Sequence, residues 1–118
     1  PNKVLGVDEF IQYQNLVKRV PVTDHVYEYI VSLVHKTRPG REGTHEYINQ
    51  YVTYGAGPRA GQNLVMAAKC LALIKGKFSP DVTEVKEVAK NVLRHRLVRN
   101  YKAEAEEISA DQIIEKIL

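Results

Sequence analysis

Gly55-Ala56-Gly57-Pro58-Arg59-Ala60-Gly61-Gln62-Asn63-Leu64-Val65-Met66-Ala67-Ala68-Lys69-Cys70-Leu71-Ala72-Leu73-Ile74-Lys75-Gly76 is the stretch that decides the fold. Its first residues make a sharp turn, and Pro58 fits the first position of a helix, where a missing N–H costs nothing. Leu64, Ala67, Ala68, Leu71 and Ile74 recur at helical spacing, and Gly76 is a natural stop. The stretch therefore predicts the longest helix of the molecule. Small residues on its apolar face let another helix approach closely.

Working back toward the N-terminus, Tyr51-Val52-Thr53-Tyr54 has strand propensity but spans only four residues, a very short extended segment at most. Residues 38–50 hold Pro39, Gly40 and Gly43 without a clear period and read as a loop. Before them, Thr23 or Asp24 caps a helix whose Val26, Tyr27, Ile30, Val31, Leu33 and Val34 form a wide stripe. Asp8 to Val20 reads as a first helix with Phe10, Tyr13, Leu16, Val17 and Val20 at helical spacing, ended by Pro21.

Toward the C-terminus, Phe78-Ser79-Pro80-Asp81 is a turn. Thr83 is the expected cap of a helix that faces Val85, Val88, Ala89, Val92 and Leu93 inward. Residues 102–107 form an acidic run that reads as a solvated connector. Ser109-Ala110-Asp111-Gln112 is a capping box for a last helix carrying Ile113, Ile114, Ile117 and Leu118. The sum is an all-α fold, one bundle-like domain of about five helices over residues 1–118.

Composition narrows the function classes. Apolar residues at 44% and charged residues at 26% are those of an ordinary globular domain, which excludes a disordered tail. No apolar run is long enough to span a membrane. The single Cys70 has no partner for an internal disulfide and reads as a small buried hydrophobe, in keeping with a cytoplasmic setting. The opening Pro1-Asn2-Lys3, without an initiator Met, is that expected of a piece of a longer chain. A net charge of +3 is mild, and nucleic acid is not the expected partner. Two basic groups stand out: Lys36, Arg38 and Arg41, then Arg94, Arg96, Arg99 and Lys102. They read as solvated faces, or as contacts to an anionic partner or a neighbouring domain.

Self-contained catalysis has little support. No Gly-rich phosphate loop ends in Lys-Ser or Lys-Thr. His25, His35, His45 and His95 are scattered, and with one cysteine no metal site is expected. Arg59 is different. It places a guanidinium in the first turn of a helix, the end where a positive charge is disfavoured. Two readings stand: a surface arginine bonded to the preceding loop, or an arginine fork that holds an anion, most simply phosphate, supplied by another domain.

An ordered set of segments closely resembles the C-terminal lid domain of the MoxR-type AAA+ ATPases. These are residues 20–26 (Val-Pro-Val-Thr-Asp-His-Val), 55–60 (Gly-Ala-Gly-Pro-Arg-Ala), 71–77 (Leu-Ala-Leu-Ile-Lys-Gly-Lys), 92–97 (Val-Leu-Arg-His-Arg-Leu) and 101–106 (Tyr-Lys-Ala-Glu-Ala-Glu). The resemblance implies a P-loop core, N-terminal to this chain, that binds ATP and Mg²⁺. The lid would close over that ATP, in subunits assembled as a ring, commonly a hexamer. It implies that Arg59 is the sensor-2 residue reaching the phosphates, presented by Pro58 and Gly55. The family usually has Ser where this chain has Gly57, so a side-chain cap is lost here. Arg94 and Arg96 are candidates to face the core or a neighbouring subunit. Chaperone-like remodelling or maturation of other proteins, often beside von Willebrand factor A-type domain proteins, is the implied role. The fragment alone is not expected to hydrolyse ATP. The alternative is a freestanding helical adaptor binding protein or nucleic acid through its basic groups.

Overall fold

Seven helices and one pair of short strands make up residues 7–118, which the computed structural model describes, the side chains of Val7 and Phe10 excepted. The expected stripe position at Phe10 thus lies outside the described side chains. In chain order the elements are α1 (Val7–Arg19), α2 (Asp24–Lys36), α3 (Glu46–Tyr51), β1 (Val52–Tyr54), α4 (Pro58–Ile74), α5 (Val82–Leu93), β2 (Val98–Arg99), α6 (Tyr101–Ala105) and α7 (Ala110–Glu115).

The predicted long helix is α4, and it is the hub: α5, α2 and α1 all pack on it. Leu64 and Ala68 face inward from α4 in one buried cluster with Ile30 and Leu33 of α2 and Val85, Ala89 and Leu93 of α5, and Ala72 is buried further along. A fully buried Leu or Ile contributes roughly 1.5–3 kcal/mol through the water-exposed surface it removes. At Gly61 a Cβ would stand 3.9 Å from a Val34 methyl, an ordinary contact distance, so α2 lies within van der Waals reach of α4 there. The helix ends where expected, with Gly76 in the left-handed region at φ 77° and the Lys77 N–H on the Ala72 carbonyl at 2.8 Å.

Two short helices were not expected. The loop of residues 38–50 ends early, because the Nδ1 of His45 accepts the Tyr47 N–H at 3.0 Å and caps α3, which buries Ile48 and Tyr51. The acidic connector contains α6, capped by Asn100 Oδ1 on the Ala103 N–H at 2.9 Å, with Ala103 buried. Helices of five or six residues are too short to display a period. They stand here on tertiary contact, including the Tyr51 hydroxyl donating to a Glu106 carboxylate oxygen at 2.7 Å.

Other expectations need smaller corrections. The extended segment is β1, paired antiparallel with β2, Val52 opposite Arg99 and Tyr54 opposite Val98 with an irregularity between. The cap of α5 is Asp81, not Thr83: Asp81 is in the extended region, and Glu84 three residues on returns a carboxylate to its N–H. Thr23 and Ser109 cap α2 and α7 as expected. Among the described side chains of the predicted first stripe only Val17, on α1, and Val20, just after it, are buried, while Leu16 is 51% exposed. Ile74 on α4 is 75% exposed, and Ala72 occupies the inward position instead. Cys70 is half-buried rather than buried, beside Tyr13, Val17 and Met66. Among the described residues no helix is long and apolar enough to cross a membrane.

Candidate functional site

The approach to α4 is built from the end of α2. Thr37, the C-cap of α2, is fully buried, and its hydroxyl donates to the Val34 carbonyl at 2.6 Å. The same oxygen accepts the Ala56 N–H at 2.9 Å. The Ala56 carbonyl in turn accepts Nε of Arg38 at 3.1 Å. Both backbone polar groups of a buried residue in the turn are thus satisfied by two consecutive residues of the chain, as burial requires.

Gly55 makes that clasp possible. A Cβ there would lie 2.5 Å from the Thr37 carbonyl oxygen and 2.7 Å from the Arg38 Cα, so only glycine lets the two segments meet. Gly57 is a different case. It is the N-cap in extended geometry, contributes no side-chain cap, and faces open space. Pro58 follows at the first helical position and Arg59 at the second. The first turn carries no acidic residue, and Arg59 is exposed. Among the described residues its guanidinium has no ion-pair or hydrogen-bond partner, so the reading in which it bonds back to the preceding loop is not what forms.

Beside the turn lies an open depression of about 470 Å³ lined by Arg38, Pro39, Arg41, Tyr54 and residues 55–58. Gly55 and Pro58 therefore share a wall with two arginines, while Arg59 is not among the lining residues. The first basic group gathers near the α4 approach. In the second, Arg94 makes a two-pronged pair with Asp111 at 2.9 Å on each arm, Arg99 donates to the Ile108 carbonyl at 2.7 Å, and Arg96 is exposed. Lys102 lies over the Tyr51 ring at 5.7 Å. Arg94 is thus paired within the chain, with both side chains of the pair still partly exposed.

The other titratable groups serve the fold. Glu84 is 1% exposed and receives Lys75 at 2.9 Å, Lys77 at 2.7 Å and the Asp81 N–H at 2.7 Å. Burial pushes its carboxyl upward, but those hydrogen bonds prevail and hold it at about 2. The Tyr51 phenol is pushed up to about 12, first by its bond to Glu106 and then by burial. Tyr29 is raised by burial, its hydroxyl without a partner among the described residues. No group of three His, Cys, Asp or Glu side chains gathers among the described residues in a way that suits a metal ion. Thr37 and Arg38 escaped the sequence reading, because their partner Ala56 lies 19 and 18 residues away and no local pattern marks such a bond.

The family model for the AAA lid domain matches residues 45–117. The chain is 33% identical over 116 residues to a protein of Mycobacterium tuberculosis (strain ATCC 25618 / H37Rv) described as the chaperone MoxR1, covering 98% of this chain and 31% of that protein. It is 30% identical over 115 residues to the uncharacterized protein YeaC of Bacillus subtilis (strain 168), covering 98% and 33%. A solved structure described as that of a candidate ATPase from Cytophaga hutchinsonii superposes with a TM-score of 0.88 at 37% identity, over 93% of this chain and 33% of that one. The chain spans about a third of the length of each of these relatives. The chain belongs to the AAA lid domain family.

Proposed function

We propose that this domain is the lid of an ATP-hydrolysing AAA+ ATPase, closing over ATP bound by a P-loop core N-terminal to it, with Arg59 reaching the phosphates. The observation that carries the reading is Arg59 at the N-terminal end of α4, exposed and without an ion-pair partner among the described residues. A cation there costs roughly 0.3–1 kcal/mol against the helix dipole, and an anion between the two reverses the sign. Its planar fork suits two phosphate oxygens, and the first turn offers donors and no carboxylate, so the donor set fits a phosphate and not a metal ion. Mg²⁺ would belong to the core.

In this reading ATP supplies the phosphoryl group and the free energy. Arg59 supplies a fixed positive charge where negative charge develops, and Pro58 and Gly55 fix the backbone that presents it. Closing and opening of the lid then couples the nucleotide state to remodelling or maturation of a client protein. The remaining parts of the proposal are a ring of subunits, commonly six, a von Willebrand factor A-type partner, and a cytoplasmic location. The adaptor alternative loses ground because two residues of the second basic group bond within the chain, Arg94 to Asp111 and Arg99 to the Ile108 carbonyl.

Steady-state ATP hydrolysis by the full parent protein tests this. Arg59→Ala is expected to lower turnover at least ~10-fold with assembly intact, the loss of one well-placed charge-stabilising donor. Unchanged turnover would remove Arg59 from the nucleotide site.

A further inference from the structure

Arg59 is exposed and has no hydrogen-bond or ion-pair partner among the described residues, so its placement depends on the backbone beneath it. That backbone is held at one point only three residues upstream. Ala56 is buried, with its N–H on the Thr37 hydroxyl at 2.9 Å and its carbonyl on Nε of Arg38 at 3.1 Å. Thr37 is itself tied to α2 through the Val34 carbonyl at 2.6 Å. Gly55 is what lets the two segments come this close, since a Cβ there would stand 2.5 Å from the Thr37 carbonyl oxygen. Beyond Ala56 the chain has one residue of freedom, Gly57, before Pro58 fixes φ and the helix begins.

We propose that Thr37 and Arg38 are positioning residues for the ATPase reaction: by clasping both backbone groups of Ala56 to the end of α2, they set where α4 starts and hence where Arg59 stands. This rests on the reading in which Arg59 meets the nucleotide. An error of about 1 Å in the placement of a charge-stabilising group can cost as much as ~100-fold in rate, so a clasp three residues away has leverage on turnover without touching ATP. Thr37 makes the assignment specific. One hydroxyl donates to α2 and accepts from the α4 approach, a double task that an isosteric valine cannot perform.

The test is a double-mutant cycle on the full parent protein, reading kcat and KM for ATP together with thermal melting and assembly. Thr37→Val is expected to lower kcat about 10-fold in the presence of Arg59. In the Arg59→Ala background it is expected to change kcat by no more than about twofold, because a residue that acts only through Arg59 has nothing left to position there. Thr37→Ser, which keeps the hydroxyl, is expected to restore turnover. Should Thr37→Val not fold, Arg38→Met removes the other bond while keeping the aliphatic stem and carries the same cycle. Equal losses in both backgrounds would overturn the proposal and leave Arg59 in place; so would lowered melting with kcat intact. If Arg59→Ala itself has no effect, both readings fall together.

Discussion

Gly55 and Gly57 sit two positions apart and answer to different constraints. Gly55 is required by contact: an added Cβ meets backbone atoms at 2.5–2.7 Å, and backbone cannot step aside as a flexible side chain does. Gly55→Ala is expected to destabilise the domain by about 1–3 kcal/mol. Gly57 faces open space in an extended conformation, so Gly57→Ser can add the missing cap and gain a few tenths of a kcal/mol. Urea unfolding of the 118-residue chain separates the two, and equal effects at both positions would contradict the geometry. Pro58 and Arg59 were legible from type and order alone, since each has a positional meaning in a first helical turn. The bonds of Thr37 and Arg38 were not, because they cross 19 and 18 residues of chain and exist only once α2 and the turn have met.

At the scale of elements, the α4–α5 corner has a pH dependence of its own. Glu84 combines the return arm of a capping box with two lysine contacts, and its folded pKa is about 2 against an ordinary 4.5. The unfolded chain binds this proton more readily than the folded one. The contribution is therefore fully present above about pH 4.5 and is lost as the pH falls toward about 2. Its size is at most about 3 kcal/mol, because both lysines remain partly in water. Glu84→Gln is expected to lower stability at neutral pH and to flatten the pH dependence between 4.5 and 2, read by urea unfolding across that range. An unchanged slope would show that Glu84 is not the group responsible. Sequence periodicity served the long helices α1, α2, α4 and α5 well. It failed for α3 and α6, whose six and five residues hold too little pattern and depend on caps from His45 and Asn100. It also misplaced the α5 cap, since Thr83 and Asp81 are both good capping residues and only the partner at Glu84 decides between them.

At the scale of the molecule, the domain is flat and extended, 47 × 35 × 20 Å with a radius of gyration of 16.2 Å. A compact domain of this length would have about 13–14 Å. That shape explains why the sequence overstated burial. Tyr13, Leu16, Val31 and Ile74 fit helical stripes, yet α1 packs chiefly on α4 and these side chains remain exposed. Hydrophobic spacing identifies an apolar face, not the element that covers it. The family was legible because its signature lies in ordered segments spread along the chain, and the chaperone MoxR1 aligns over 98% of it. The same flat body presents Arg59 outward on its central helix, the arrangement on which the nucleotide reading depends. Equilibrium ATP binding to the assembled parent protein, wild type against Arg59→Ala, is the direct test of that contact. Loss of a charge-assisted phosphate bond is expected to weaken ATP affinity about 10-fold or more with the oligomeric state unchanged. Equal affinity for ATP in the two proteins would contradict the contact between Arg59 and the phosphates.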